Sequence, residues 1–569
     1  MSMRLHRITE QCRIESIPLL AACKAGLASC ALVALAILGP QASARFDPSK
    51  VYREAPAVAE KFPDPAIEIA TPAFAPGRQD FTSQEEMLAF VDALAKKSAD
   101  LRVRMLGHTP EGRALPLLIL ARLAPAQVDD LPKNGKPTVL IIGQLHGDEP
   151  AGGEAALALA AQLAGGDLAQ LLERVNVLIV PRANPDGAFH FTRGAPHVAD
   201  LNRDHMILST PEGQALARVF VEYQPHVVID CHEFSVAQRW VEKFGGVQSQ
   251  DAMIQYATVP NLPPALTEAA ETLYRGPMLK ALEQAGFSST WYYTTTYDVK
   301  DRRVSMGGVS PDTGRNVAGL RNAVSFLIES RGVQIGRAHY KRRVATHLTA
   351  LRSVLEITAR NAGALLALRR EVERDVAARA GRGDIVVVGS AKPEQQVLEF
   401  LDPVTGESRR VEVDWQSALE IQARLKRPRP FAYLLPASEA RAAQQLRRLG
   451  VSVLRVGAEA AVDAQRYVVT VAGEARKDDV RRKDDDAVGN IVRLTTTLEP
   501  HKLRIRAGDF YVPLDQPLAN LAIAALEPEP QSSFASNRLL AVEGSKPAVL
   551  QLYRLSAQIN APTVAWDGK

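Results

Sequence analysis

The sequence predicts an α/β fold: a mixed, largely parallel central sheet flanked by helices, followed by a β-rich C-terminal unit. Three observations carry this. VLIIGQLHGDE, PHVVIDCHE and AVSFLIES are short Val- and Ile-rich runs that close in turn or polar residues. Such runs read as strands buried on both faces of a parallel sheet. Amphipathic or Ala-rich helical patterns separate them, as strand–helix alternation requires. After Gly381 the alternation stops, and short strand candidates follow one another.

A chain of 569 residues is too long for one core. The leader comes first. Residues 4–24 are basic, and AGLASCALVALAILG is an apolar run of signal length. Ala42-Ser43-Ala44 then fits a small-x-small cleavage site. Residues 1–44 read as a signal peptide, and the protein as exported, periplasmic or extracellular, with no stable membrane span once the signal is gone. Three of the four cysteines lie in this leader, leaving Cys231. An intramolecular disulfide is then excluded, and Cys231, among strand residues, reads as a small buried hydrophobe. The net charge is +4, and the leader carries four of the basic residues against two acidic ones. The near-neutral remainder gives no argument for a nucleic-acid partner.

Residues 45–380 are expected to form the catalytic domain. Residues 45–80 are a Pro-rich lead-in, and SQEEMLAFVDALAKK is a helix with a polar start. LRVRMLGHTPEGRALPLLIL reads as two strands around a turn. Pro150 opens an Ala-rich helix through Leu163, LLERVNVLIV is a strand, and Asn184-Pro185-Asp186-Gly187 is a turn. Residues 212–222 are helical. Residues 235–318 hold one helix, about 264–285, an aromatic stretch and a Gly-rich segment; a connection this long is often a functional loop. Residues 337–379 are helical and charged. In 381–569, GDIVVVGS, RRVEVDW, FAYLLPAS, VSVLRVG and RYVVTVAG are strand candidates, with helices at 439–449 and in LANLAIAALEPE. The mixed-charge run 475–487 reads as a solvated loop.

The chemistry gathers at the strand ends. His146 and Glu149 follow one buried strand, His232 ends a second and Glu329 a third. Ligands of open α/β sheets bind beyond the carboxyl ends of the strands. Two imidazoles and one carboxylate make a catalytic zinc set with a fourth position open. Asp230, two residues before His232, shares its strand face and reads either as support for the metal site or as a buried polar group bonded elsewhere.

These residues resemble the zinc carboxypeptidase family over roughly residues 80–340. The matching motifs, in order, are LGHTPEGRALPL, HGDE, NPDG, TRGAPHVADLNRD, DCHE and IES. The resemblance implies that His146, Glu149 and His232 hold one zinc ion per chain. It implies that Glu329 is the general base toward a zinc-activated water, and that Arg193 stabilises the oxyanion. It also implies that Asn202 and Arg203 hold the terminal carboxylate of a substrate. The expected activity is release of C-terminal residues from peptides, the partner being a peptide or amide with a free carboxylate. A related amide hydrolase acting on cell-wall peptides or N-acyl amino acids is the alternative, and a non-catalytic binding module is the third reading. The chain departs from digestive-type members in two places. Asp148 stands where they have Arg, and no Tyr lies about twenty residues before Glu329, Tyr297 being the nearest upstream. Arg315 and Arg321 lie in the stretch where a specificity residue is sought.

Overall fold

The computed structural model describes residues 46–122, 131, 134–195, 198, 200–478, 490–545, 547–566 and 568. The leader expected over 1–44 and most of the charged run 475–487 lie outside the described residues.

Before residue 380 the chain forms helix α1 (Gln84–Lys97), whose N-terminus is closed by a reciprocal capping box between Ser83 and Glu86. Strands β1 (Leu101–His108) and β2 (Ala114–Leu120) form the expected hairpin. Then follow β3 (Thr138–Ile142), helix α2 (Pro150–Gly165) and β4 (Asn176–Val180). The LLE end of LLERVNVLIV is not strand but a 3₁₀ turn, Ala169–Glu173. NPDG is more than a turn. Asn184 caps a short helix α3 (Pro185–His190) by accepting from Gly187 N, with Pro185 at its first position. Helix α4 (Pro211–Tyr223), β5 (Val227–Ser235), β6 (Ala252–Tyr256) and β7 (Ser289–Trp291) come next. Helix α5 (Gly314–Leu320), β8 (Val324–Val333) and helices α6 (Tyr340–Arg360) and α7 (Ala362–Ala378) complete this part.

These eight strands form one mixed sheet in the order β1-β2-β4-β3-β5-β8-β6-β7. Its centre, β4-β3-β5-β8, is parallel. The apolar runs sort by parity. Val139, Ile141, Val177, Ile179, Val227 and Ile229 face one hydrophobic cluster. Leu140, Ile142, Leu178, Val180 and Val228 face the other. A strand covered on both faces needs apolar residues at every position, and this is why these runs lack alternation.

A five-stranded sheet joins both sides of residue 380. It is made by Val247–Gln248, Asp384–Leu401, Ser408–Pro428, Arg303–Ser305 and Thr294–Thr295, in that order. The rest of the C-terminal region folds as an eight-stranded sheet in which every pair is antiparallel, with helices α8 (Ala440–Arg448) and α9 (Ala519–Leu526). No described helix is long and apolar enough to cross a membrane.

One buried ion pair ties sheet to helix. Glu233 is fully buried on the β5 face opposite His232. It accepts from Arg343 of α6 at both oxygens (2.7 and 2.9 Å), from Ser330 of β8 (3.1 Å) and from Ala151 N at the start of α2 (3.1 Å). Removing one partner of such a pair leaves a buried charge uncompensated. Arg343→Leu is therefore expected to lower stability by about 3–5 kcal/mol, read as a fall in the denaturant midpoint.

Candidate metal centre

The site begins with a close approach of two backbones. After β3 the chain runs Gly143–Glu149, and Gly147 packs on α3. A Cβ on Gly147 would lie 1.9 Å from the Gly187 carbonyl carbon, so no other residue fits. Glu149 is the residue before α2, whose first turn starts at Pro150. This geometry turns His146 and Glu149 toward the end of β5.

There they meet His232. His146 and His232 are fully buried and Glu149 nearly so. His146 Nδ1 lies 2.9 Å from Glu149 Oε1, His232 Nδ1 lies 2.8 Å from Glu149 Oε2, and the two Nδ1 atoms are 2.9 Å apart. Among the described residues this is the group of His, Cys, Asp and Glu side chains placed to hold a metal ion.

The outward nitrogens decide what the inward ones can do. His146 Nε2 lies 3.0 Å from Asp200 Oδ1, and His232 Nε2 lies 2.9 Å from Asp230 Oδ1. A carboxylate at Nε2 fixes the proton there and leaves a lone pair at Nδ1. With both rings neutral, as a bound cation would require, the two Nδ1 atoms and the Glu149 carboxylate are acceptors aimed at one point. A cation satisfies all three, and the two-His, one-Glu set is that of catalytic zinc. Without a cation, the site draws positive charge onto its own residues. Burial alone would lower the His232 pKa, but Asp230 and Glu149 outweigh it and push it up to about 10. Burial would raise Glu149, yet His146 and His232 hold it well below its usual range. The pocket is a well for positive charge.

The expected residues lie around this point. Arg193 reaches it: Nη1 is 3.2 Å from His146 Nδ1 and 3.3 Å from Glu149 Oε1, and Nη2 donates to Asp200 (2.8 Å). The motif LGHTPEGRALPL explains how Arg193 is placed. Thr109, Glu111 N and Arg113 all donate to buried Asp186 of α3 (2.6, 3.1 and 2.7 Å). Asn184 Nδ2 and Gly147 N in turn hold the Arg193 carbonyl, each at 3.3 Å. Glu329 is fully buried and stands in register with His232 on the neighbouring parallel strand, so both project from the same face. Arg203 is partly exposed beside Asp200, and its Nη1 donates to Asn202 O (2.9 Å). Asn202 is buried. Its Oδ1 accepts from Gly314 N (2.7 Å), which fixes the amide and leaves Nδ2 with a long contact to Asp230 (3.4 Å).

Sequence reasoning missed Asp200, whose only signal was its place in ADLNRD, and left Asp230 open between two roles. It also missed how closely Arg315 approaches. Arg315 is buried at the start of α5, where burial lowers its pKa to about 10, with Tyr292, Arg203 and Glu329 among its electrostatic neighbours. Tyr297, the nearest upstream tyrosine, lies partly exposed under the Arg239 guanidinium. Cys231 is buried on the opposite face of β5 against Gly152, and burial pushes its thiol pKa up; it takes no part in the site.

Comparison with known proteins gives the same answer. The family described as zinc carboxypeptidase matches residues 87–208. That segment contains His146, Glu149, Arg193, Asn202 and Arg203, and the sheet adds His232 and Glu329. Carboxypeptidase 2 of Trichophyton equinum is 29% identical over 470 residues, 81% of this chain and 85% of that protein. Probable carboxypeptidase 2 of Arthroderma benhamiae is 28% identical over 461 residues, 80% of this chain and 85% of that protein. A solved metallo-carboxypeptidase from Burkholderia cenocepacia superposes on 50% of this chain and 70% of that one, at 20% identity and a TM-score of 0.37. Residues 87–208 thus match the zinc carboxypeptidase family, and His146, Glu149 and His232 could hold the metal ion of such a site.

Proposed function

We propose that this protein is an exported zinc metallocarboxypeptidase that removes C-terminal residues from peptides. The observation that carries the reading is the convergence of His146, Glu149 and His232 with Glu329 in register beside them. The zinc ion supplies Lewis acidity and brings the pKa of a water ligand to around 7. Glu329 takes a proton from the attacking water at its carboxylate and delivers it to the leaving nitrogen. Arg193 offers its N–H groups to the oxyanion that develops on the scissile carbonyl. Arg203 holds the terminal carboxylate of the substrate through its planar fork. Asn202 joins it through Nδ2, its Oδ1 being fixed by Gly314 N. Arg315 lies near Arg203, and two guanidiniums side by side suit an anionic chain end. Residues 45–380 carry the catalysis. Export rests on the leader pattern of residues 1–44.

The test is hydrolysis by the chain lacking residues 1–44, on free-carboxylate peptides, their C-terminal amides and cell-wall stem peptides, with and without a zinc chelator. Chelator-sensitive release from free-carboxylate peptides alone is expected. Cleavage confined to stem peptides would replace the proposal with a wall-peptide amidase.

Two variants separate the roles. Glu329→Gln is expected to lower kcat on the order of 10²–10⁴-fold with the metal content unchanged, the range for lost general acid–base catalysis. Asp200→Asn loosens the orientation of His146 and is expected to weaken zinc on the order of 10–100-fold in chelator competition. An unchanged zinc affinity there would show that His146 does not depend on Asp200.

A further inference from the structure

Of the nine buried arginines among the described residues, four meet a carboxylate. Arg331 pairs with Glu54, Arg343 with Glu233, and Arg427 with Glu527 and Glu529. Arg182 has no carboxylate but donates to three oxygens, from Gln144, Gln84 and Thr82. Arg239, Arg315 and Arg429 also lack a carboxylate but each donates to an oxygen, whereas Arg321 makes no side-chain hydrogen bond to the described residues. It ends helix α5, is only 5% exposed, and its Nε has no hydrogen-bond partner. Its one contact of note is with the Phe220 ring, 5.0 Å from the guanidinium carbon. A buried cation without a counter-charge is costly, and here only the terminal nitrogens, facing the cavity, are open to an anion.

Arg321 lies in the wall of a cavity of ≈270 Å³ between α4, α5, α7 and the segments that lead from α8 and into α9. Its Nη1 lies 3.8 Å from where a Cβ on Gly450, another wall residue, would sit, so its head reaches across the space. The other charges of the wall cancel. Arg369 Nε donates to Glu373, and its Nη1 donates to Pro225 O and Asn322 O. One uncompensated positive charge remains. The surfaces facing it include Phe220, Val221 and Leu518, which are apolar.

We propose that this cavity is a second, non-catalytic site that binds a small monocarboxylic acid with an apolar body, its carboxylate held by Arg321. One net charge selects a monoanion. Glu373 in the wall disfavours phosphate and other dianions, and the apolar walls take up the body of the acid. The state of Arg321 agrees, since burial and the nearby Arg369 bring its pKa down to about 9, as expected of a cation that lacks its partner. The site joins α5, which begins beside Asn202, to residues 450–452 and 516–518 of the C-terminal region.

The probe is 3-phenylpropionate, titrated calorimetrically into the zinc-loaded chain, the parent against Arg321→Met and Arg321→Gln. Because the active site also takes carboxylates, the signal is the part of the binding that the variants remove. The expected result is a saturable site weakened at least tenfold by both substitutions, with peptide hydrolysis the same as in the parent. The neutral isostere 3-phenylpropanamide should neither bind there nor compete. Binding unchanged in the variants would overturn the proposal, as would equal binding of the amide. Inorganic phosphate displacing 3-phenylpropionate from the Arg321-dependent site would overturn the monocarboxylate class. Arg321→Gln keeps a polar head, so it carries the test if Arg321→Met does not fold.

Discussion

Three acceptors aimed at one buried point are the constraint on which the structure of the site depends. Asp200 and Asp230 hold the outer nitrogens of His146 and His232, so with both rings neutral the inner nitrogens accept, and Glu149 accepts beside them. Such an arrangement is stable only around positive charge. The rest of the fold can be understood as what it takes to hold these groups together. Two parallel strands end side by side, a glycine lets a loop touch a helix, and a helix starts at the residue after the third ligand.

The holding is ionic as much as hydrophobic, and it works from both faces of the sheet. On the face opposite the ligands, Glu233 ties β5, β8, α2 and α6 into one unit through Arg343, Ser330 and Ala151 N. On the ligand side, Asp186 gathers the hairpin turn after β1 and fixes the loop that carries Arg193. Both carboxylates are fully buried and bonded several times over. A fully satisfied buried network is rigid, and rigidity lets a ligand set keep its geometry.

The central strands were legible because both of their faces are covered, which leaves an unbroken apolar run with a polar end. The ligands were legible because they sit at those ends. The misreadings have physical causes. LLE was joined to the strand after it because three apolar or helix-favouring residues carry no period, and a 3₁₀ turn uses the same composition. NPDG has the chemistry of a turn and of a helix N-cap at once, and only the residues after Gly187 decide. The strands at 247–248, 294–295 and 303–305 are two or three residues long, too short for any periodicity. Asp200 looked like an ordinary loop aspartate, and locally it is one: its Oδ1 accepts from Asn202 N as well as facing His146. Sequence also could not show that α5 returns Gly314 N to the Asn202 carboxamide oxygen.

Whole-chain charge says almost nothing about recognition here, whereas the pairing of individual arginines says a great deal. The net charge of +4 is small for 569 residues. Yet arginine is used in distinct ways within one molecule. Arg343, Arg331 and Arg427 are buried with carboxylates of their own chain and contribute to the fold. Arg203 is partly exposed next to the metal ligands, near enough to Asp200 to be oriented and open enough to meet an anion. Arg321 is buried without any carboxylate partner. Desolvation makes the difference between these cases. A guanidinium that has lost its water and found its counter-ion is structural, while one that has lost its water and found none is poised for a ligand.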